Sequence, residues 1–182
     1  MIIAVLDADV LYPLPLRDTL LSAAAAGCFQ PRWTSTIVEE AIRNLVADGR
    51  LTSAKAEILH KVLSEVFEDA WVEGYESLIA TMSNHPKDRH VAACAVQAGA
   101  PVIVTSNLKD FDKLPEGLEA VHPDDFLCRL LANNPELLAA AIAEQVKRLK
   151  NPPMTVGDLI ASYAAIAPKF VQAWRARFQS PV

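Results

Sequence analysis

The sequence predicts an α/β fold in which helices flank a parallel sheet, followed by a helical C-terminal extension. Short apolar runs rich in β-branched residues alternate with longer segments of helical periodicity. Such continuous apolar runs are typical of parallel strands that are buried on both faces. Beyond residue 129 the sequence contains only helical segments, which indicates an addition to the sheet.

Three strands are expected, at residues 2–6, 102–104 and 118–121, with a short extended piece at 29–33. Glycine and proline mark several of the segment boundaries between them. The helices of this part are expected at residues 15–26, 36–47, 52–67, 75–82, 86–98 and 123–131.

The C-terminal part is expected to be helical. One helix begins at Pro135 and is broken at 151–153, and the Thr155–Asp158 pair begins another. We therefore predict an α/β domain at 1–128 and a helical extension at 129–182.

Composition restricts the class of protein. The chain has 182 residues, of which 52% are apolar and 21% charged, as in a folded globular protein. No apolar stretch approaches the roughly 18 residues of a membrane-spanning helix, so we expect no membrane partner. The three cysteines are far apart and the four histidines show no metal-binding spacing. These features indicate a cytoplasmic protein with reduced thiols.

Charge is distributed unevenly along the chain. The net charge is −5, but residues 1–128 carry 10 basic and 19 acidic side chains, whereas residues 129–182 carry 7 basic and 3 acidic ones. An acidic body therefore precedes a basic extension.

Acidic and small polar residues follow two of the predicted strands. Asp7 and Asp9 come after the first strand, and Thr105 and Asp110 come after the strand at 102–104. Ligands of parallel α/β sheets bind outside the carboxyl ends of the strands, so we expect these side chains at one site.

Two helices offer further acids. Asp88 opens the helix at 86–98 on its core-facing side, whereas His90 is expected on the surface. Glu39 and Glu40 flank the apolar stripe of another helix. Thr36 and Glu39 match a capping box, which gives Glu39 a structural task and leaves Glu40 as the functional candidate.

Four carboxylates at one site repel each other unless a cation neutralises them. Oxygen ligands favour Mg²⁺ or Mn²⁺ over zinc, and Mg²⁺ usually acts on phosphate substrates. We therefore expect Mg²⁺- or Mn²⁺-dependent phosphodiester hydrolysis. The predicted metal ligands are Asp7, Glu40, Asp88 and Asp110.

Three segments in the region 1–128 occur in the order and at the spacings of a known family. They are IIAVLDADVLYP, TSTIVEEAIRNL and KDRHVAACAVQAGAPVIVTSNLKDF. The sequence resembles PIN-domain ribonucleases, and most of all the VapC-type toxins of bacterial toxin–antitoxin pairs. The resemblance implies a PIN-like parallel sheet with acids at its carboxyl edge.

The resemblance assigns the same acids as catalytic and metal-binding residues: Asp7, Glu40, Asp88 and Asp110, with Thr105 in the last motif. Asn107 stands where many members have Asp, so we expect one tightly held metal ion, not two. In the expected mechanism, Thr105 orients the attacking water or the carboxylate of Asp110.

The resemblance also implies partners. These are a structured RNA substrate such as tRNA or rRNA, a VapB-like antitoxin encoded alongside, and a second copy in a homodimer. The extension is a candidate RNA contact through basic side chains and Trp174, or else a helical cap or an antitoxin interface. The candidate RNA-binding residues are Lys147, Arg148, Lys150, Lys169, Arg175 and Arg177.

Two other functions stay open. Asp7 and Asp9 also resemble the first motif of haloacid-dehalogenase-type phosphatases, with Asp124 and Asp125 as the last motif, although only 18 residues separate Ser106 from Asp124. A PIN-like chain that binds RNA with weak or no catalysis is the second alternative.

Overall fold

The computed structural model describes residues 1–178 and contains one four-stranded parallel sheet. The strand order is β2-β1-β3-β4, and helices lie against both faces. The predicted parallel α/β fold is therefore confirmed, and the extended piece at 29–33 is a strand of this sheet. The strands are β1 Ile2–Leu6, β2 Phe29–Arg32, β3 Val102–Val104 and β4 Glu119–Val121.

The two central strands form the middle of the hydrophobic core. All of β3 and the last three residues of β1 are buried, as their β-branched and aliphatic sequence predicts. In the register of this pair, Leu6 lies opposite Val104. The residues that follow these strands, Asp7 and Thr105, therefore leave the sheet side by side.

Ten helices surround the sheet within the described residues. Among them, none is long and apolar enough to cross a membrane. Their bounds are α1 Ala8–Leu11, α2 Leu14–Ala25, α3 Ser35–Ala47, α4 Ser53–Val66, α5 Glu76–Ile79, α6 Arg89–Gln97, α7 Pro123–Asn133, α8 Pro135–Arg148, α9 Val156–Ser162 and α10 Pro168–Phe178.

The predicted capping box of α3 is wrong. Thr34, not Thr36, is the N-cap: it has an extended backbone, and its hydroxyl accepts from the backbone N–H of Ile37 at 3.2 Å. The Thr36 hydroxyl instead lies 2.9 Å from the Tyr75 hydroxyl. A contact between residues so far apart in sequence outweighs the local pattern that suggested the capping box. The helix start predicted at Thr155 and Asp158 is confirmed, and the two residues form a capping box at the N-terminus of α9.

Two segments around the site differ from their predicted form. The segment Pro86–Asp88 is a 3-10 turn, and the α-helix begins only at Arg89. Directly after β1 lies the short helix α1, which is not among the expected helices and has Asp7 as its N-cap. Both changes place an acidic residue at a helix start, where backbone N–H groups are free.

The extension packs on the sheet domain and shares one hydrophobic core with it. Helix α8 lies against α2, and α10 lies against α7. The Thr19 hydroxyl of α2, fully buried, donates to Gln145 Oε1 at 2.8 Å and is hydrogen-bonded to the Tyr163 hydroxyl. The division at residue 128 stays a prediction, and residues 179–182 of the predicted extension lie outside the described residues.

Candidate active site

Asp7 and Thr105 meet at the carboxyl edge of the sheet, as predicted. The backbone N–H of Asp7 donates to the carbonyl of Val104 at 3.1 Å, which continues the β1–β3 pairing beyond the strands. The Thr105 hydroxyl donates to Asp7 Oδ2 at 2.9 Å. Thr105 has no exposed surface, so it supports the carboxylate from the protein side of the site.

Asp9 is a member of this cluster that the predicted ligand set lacks. Its Oδ2 accepts from the backbone N–H of Ser106 at 2.9 Å and from the Thr105 hydroxyl at 3.3 Å. Its Oδ1 is buried and has no hydrogen-bond partner within residues 1–178. The sequence signal for Asp9 is its spacing of two residues from Asp7, although Asp9 has a role only in the phosphatase alternative above.

The buried position of Asp7 makes its ionised form costly. The side chain is 7% exposed, and burial, together with the neighbouring Asp9 carboxylate, raises the pKa of Asp7 to about 7. Hydrogen bonds from Thr105 and the Ala8 backbone act in the opposite direction. Burial also raises the pKa of Asp9.

Glu40 joins the site from α3 and lines the same cavity as Asp7. Glu39 is exposed and does not line it. The choice of Glu40 over Glu39 therefore agrees with the structure, although the capping argument that led to it was wrong. His90 Nε2 lies 3.9 Å from Glu40 Oε2, so His90 faces the site and not the surface.

Asp88 lies close both to the carboxylates that line the cavity and to Asp110. It ends the turn that precedes α6, and it lines the cavity together with Asp7 and Glu40. Burial and the Asp110 carboxylate raise the pKa of Asp88. Its Oδ2 atom is buried without a hydrogen-bond partner among the described residues.

Asp110 lies beside Asp88 but does not line the cavity. Its side chain accepts a hydrogen bond from Asn107 Nδ2, and its backbone carbonyl accepts from the N–H of His85 at 3.0 Å. The structure therefore brings four of the five predicted site residues to one edge, with Asp110 joined through Asp88.

The cavity has a volume of about 490 Å³ and opens at the sheet edge. Lys87 lies on its wall, and Tyr12 donates a hydrogen bond to Asp48 at its rim. Carboxylates nonetheless predominate among its charged groups. Those that line it belong to Asp7, Asp9, Glu40, Asp48 and Asp88.

The residues present fit a divalent cation. Two buried carboxylate oxygens, Asp9 Oδ1 and Asp88 Oδ2, have no hydrogen-bond partner in the described chain. Three neighbouring carboxyls have raised pKa values, which a cation would reverse. Oxygen donors of this kind suit Mg²⁺ and Mn²⁺.

The basic side chains of the extension are largely engaged within the protein. Arg177 pairs with Glu136 at 2.6 Å, and the Arg148 guanidinium donates to Ser22 at 2.8 Å. Lys147 and Lys169 pair with Glu144 and Asp125. Trp174 is 4% exposed, so the prediction that its ring contacts RNA bases is wrong.

The phosphatase alternative receives no support from its last motif. Asp124 is buried, and its two oxygens accept from the backbone N–H groups of Lys169 and Phe170 at 3.0 and 2.7 Å. Asp125 pairs with the Lys169 side chain. Both acids therefore hold the start of α10 and do not reach the acidic cavity.

Comparisons with known proteins agree with this geometry. The family model described as "PIN domain" matches residues 4–109, and the model described as "VapC50 C-terminal domain" matches residues 123–176. The chain is 44% identical over 114 residues to a protein of Mycobacterium tuberculosis strain H37Rv described as "Putative ribonuclease VapC50". This match covers 61% of the chain and 68% of that relative. No solved structure matches. With the parallel sheet and its acidic carboxyl edge, these matches show that the chain belongs to the PIN-domain family and resembles its VapC-type members.

Proposed function

We propose that the protein is a divalent-metal-dependent endoribonuclease that cleaves structured RNA, tRNA or rRNA, as the toxin of a toxin–antitoxin pair. The observation that carries the proposal is the cluster of buried, mutually repelling carboxylates at the carboxyl edge of the sheet. The similarity to a relative named as a ribonuclease supports RNA as the substrate.

The predicted residues Asp7, Glu40, Asp88 and Asp110 are proposed to hold Mg²⁺ or Mn²⁺, directly or through waters, and Asp9 joins them. A divalent ion in such a site supplies a Lewis acid for a phosphate oxygen and lowers the pKa of a bound water. Both effects favour hydrolysis of a phosphodiester.

The protein's own contribution is to hold the carboxylates in position. The single hydroxyl proton of Thr105 is within reach of both Asp7 Oδ2 and Asp9 Oδ2, with the shorter contact to Asp7, and the hydroxyl oxygen accepts from the backbone N–H of Asn107 at 3.1 Å. These contacts support a role for Thr105 in positioning the carboxylates of Asp7 and Asp9, beside the expected role of orienting the attacking water or the carboxylate of Asp110. Asn107 takes over the contact to Asp110.

The decisive experiment is cleavage of total bacterial RNA by the purified protein with Mg²⁺, with Mn²⁺ and with EDTA. We expect discrete fragments that disappear with EDTA. Glu40→Gln should abolish them, whereas Glu39→Gln is a matched control on the exposed side of the same helix and should keep them. Metal binding without cleavage would instead support the binding-only alternative.

The toxin role requires a partner. We propose a VapB-like antitoxin and, as the resemblance implies, a homodimer. Expression of the chain should arrest bacterial growth, and co-expression of a small neighbouring reading frame with a DNA-binding fold should restore it. Growth arrest that persists in the Asp7→Asn variant would contradict a nuclease-based toxin.

A further inference from the structure

His85 lies next to two of the proposed metal ligands, although its sequence context gave no metal-binding signal. One ligand atom each from His85, Asp88 and Asp110 lies within 4.8 Å of the other two. Backbone hydrogen bonds hold the three together: the Asp88 N–H donates to the His85 carbonyl at 2.9 Å, and the His85 N–H donates to the Asp110 carbonyl at 3.0 Å.

The spacing suits a shared ion better than a hydrogen bond. His85 Nδ1 and Asp88 Oδ2 are 3.8 Å apart, which is too long for a hydrogen bond but within the range of an ion pair with a protonated imidazole. The same spacing also suits two ligands of one ion. Two ligands bonded to one ion at about 2.1 Å lie roughly 3 to 4 Å apart. Asp88 Oδ2 is buried and has no hydrogen-bond partner in the described part of the chain, so it is available to a cation.

The neighbouring side chains leave His85 free to bind. Its side chain is 53% exposed, and Asn107 holds one carboxylate oxygen of Asp110. The other oxygen of Asp110 has no side-chain hydrogen bond among residues 1–178. One nitrogen and two carboxylate oxygens can therefore face a common point, with the remaining positions open to water.

We propose that His85 adds a nitrogen ligand to the proposed metal site and forms, with Asp88 and Asp110, a subsite that adjoins the carboxylates of Asp7, Asp9 and Glu40. Imidazole favours transition-metal ions, whereas Mg²⁺ favours oxygen ligands alone. The subsite therefore binds Mn²⁺ more tightly than Mg²⁺. This inference rests on the metal dependence proposed above and goes beyond it in naming a histidine ligand.

The test is pulsed electron paramagnetic resonance of Mn²⁺ bound to the full chain labelled with ¹⁵N-histidine. A subsite with His85 gives a ¹⁵N hyperfine coupling from a directly bound imidazole. His85→Gln should remove this coupling and weaken Mn²⁺ binding at least about tenfold, with a smaller effect on Mg²⁺. His90→Gln is the matched control, because His90 also faces the site and should leave the coupling intact.

The outcomes separate this inference from the proposed function. Mn²⁺ binding without ¹⁵N coupling, or coupling that persists in His85→Gln, would overturn the subsite. RNA cleavage with either metal would still stand in that case. Coupling that depends on His85 in a protein that cleaves no RNA would support the subsite and contradict the nuclease. Circular dichroism of both variants establishes that they are folded.

Discussion

The carboxyl edge of the sheet and the C-terminal extension differ in whether their charged side chains have partners of opposite charge. At the edge, Asp7, Asp9 and Asp88 lie close together, and the pKa of each is raised. In the extension, four of the seven basic side chains form ion pairs, as Arg177 does with Glu136. A cluster of like charges indicates a binding site for an ion of opposite charge, whereas paired charges indicate a surface that stabilises packing.

The largest effect is expected from removing one charge at the edge. Asp7→Asn should lower RNA cleavage about 1000-fold or more, because a carboxylate proposed to hold the metal is lost while the size and shape of the side chain are kept. Glu136→Gln, in the extension, should leave cleavage unchanged. Single-turnover rates with Mg²⁺ measure both. Wild-type activity in Asp7→Asn would contradict the assignment of the site.

The carboxyl group of Asp7 should also govern the pH dependence of stability. The pKa of Asp7 rises from 3.8 to about 7 on folding, so its ionisation destabilises the metal-free fold. The free energy of unfolding should therefore fall as the pH rises from about 4 to about 7, by on the order of 3 kcal/mol. Asp9 and Asp88 shift in the same direction.

Urea titrations in EDTA at pH 5 and pH 7.5 measure this dependence. Asp7→Asn should flatten it, and added Mn²⁺ should raise stability at pH 7.5. An unchanged pH dependence in Asp7→Asn would show that other groups cause it.

At the contact between α7 and the extension, the buried Asp124 should matter for stability alone. It accepts from two backbone N–H groups at the start of α10, so Asp124→Ala should lower the free energy of unfolding by about 2 kcal/mol. Asp125→Ala is the matched control on the next residue. It loses only an exposed ion pair and should cost less than about 1 kcal/mol. Equal losses would show that the cap contributes little.

The smallest effect concerns RNA contact by the extension, which stays a prediction. Within the described range, Lys150 and Arg175 have no ion pair, so they are the strongest candidates. Exchanging both for Gln in an Asp7→Asn background should weaken RNA binding a few-fold and reduce the salt slope by roughly one per lost phosphate contact. Arg177→Gln should have a smaller effect. Identical affinities would exclude the extension as an RNA contact.

The sequence predicted the sheet because its strands are local apolar runs, and it predicted Asp7 and Thr105 together because parallel strands end at one edge. It did not predict the contacts of Asp9, His85 or Thr34. Those depend on where loops and 3-10 turns place side chains, which residue spacing does not encode. Glu40 lines the cavity as predicted, but the capping box of Thr36 and Glu39 that favoured it is absent, because Thr34 is the N-cap of α3.

The packing of the extension also has an evolutionary consequence. Thr19 of α2 lies fully buried because Gln145 and Tyr163 of the extension cover it and bond to its hydroxyl. Loss of the extension in one step would uncover this polar group and the apolar surface around it. A shorter relative would need compensating polar substitutions on α2, so the two segments are expected to be inherited and to vary together.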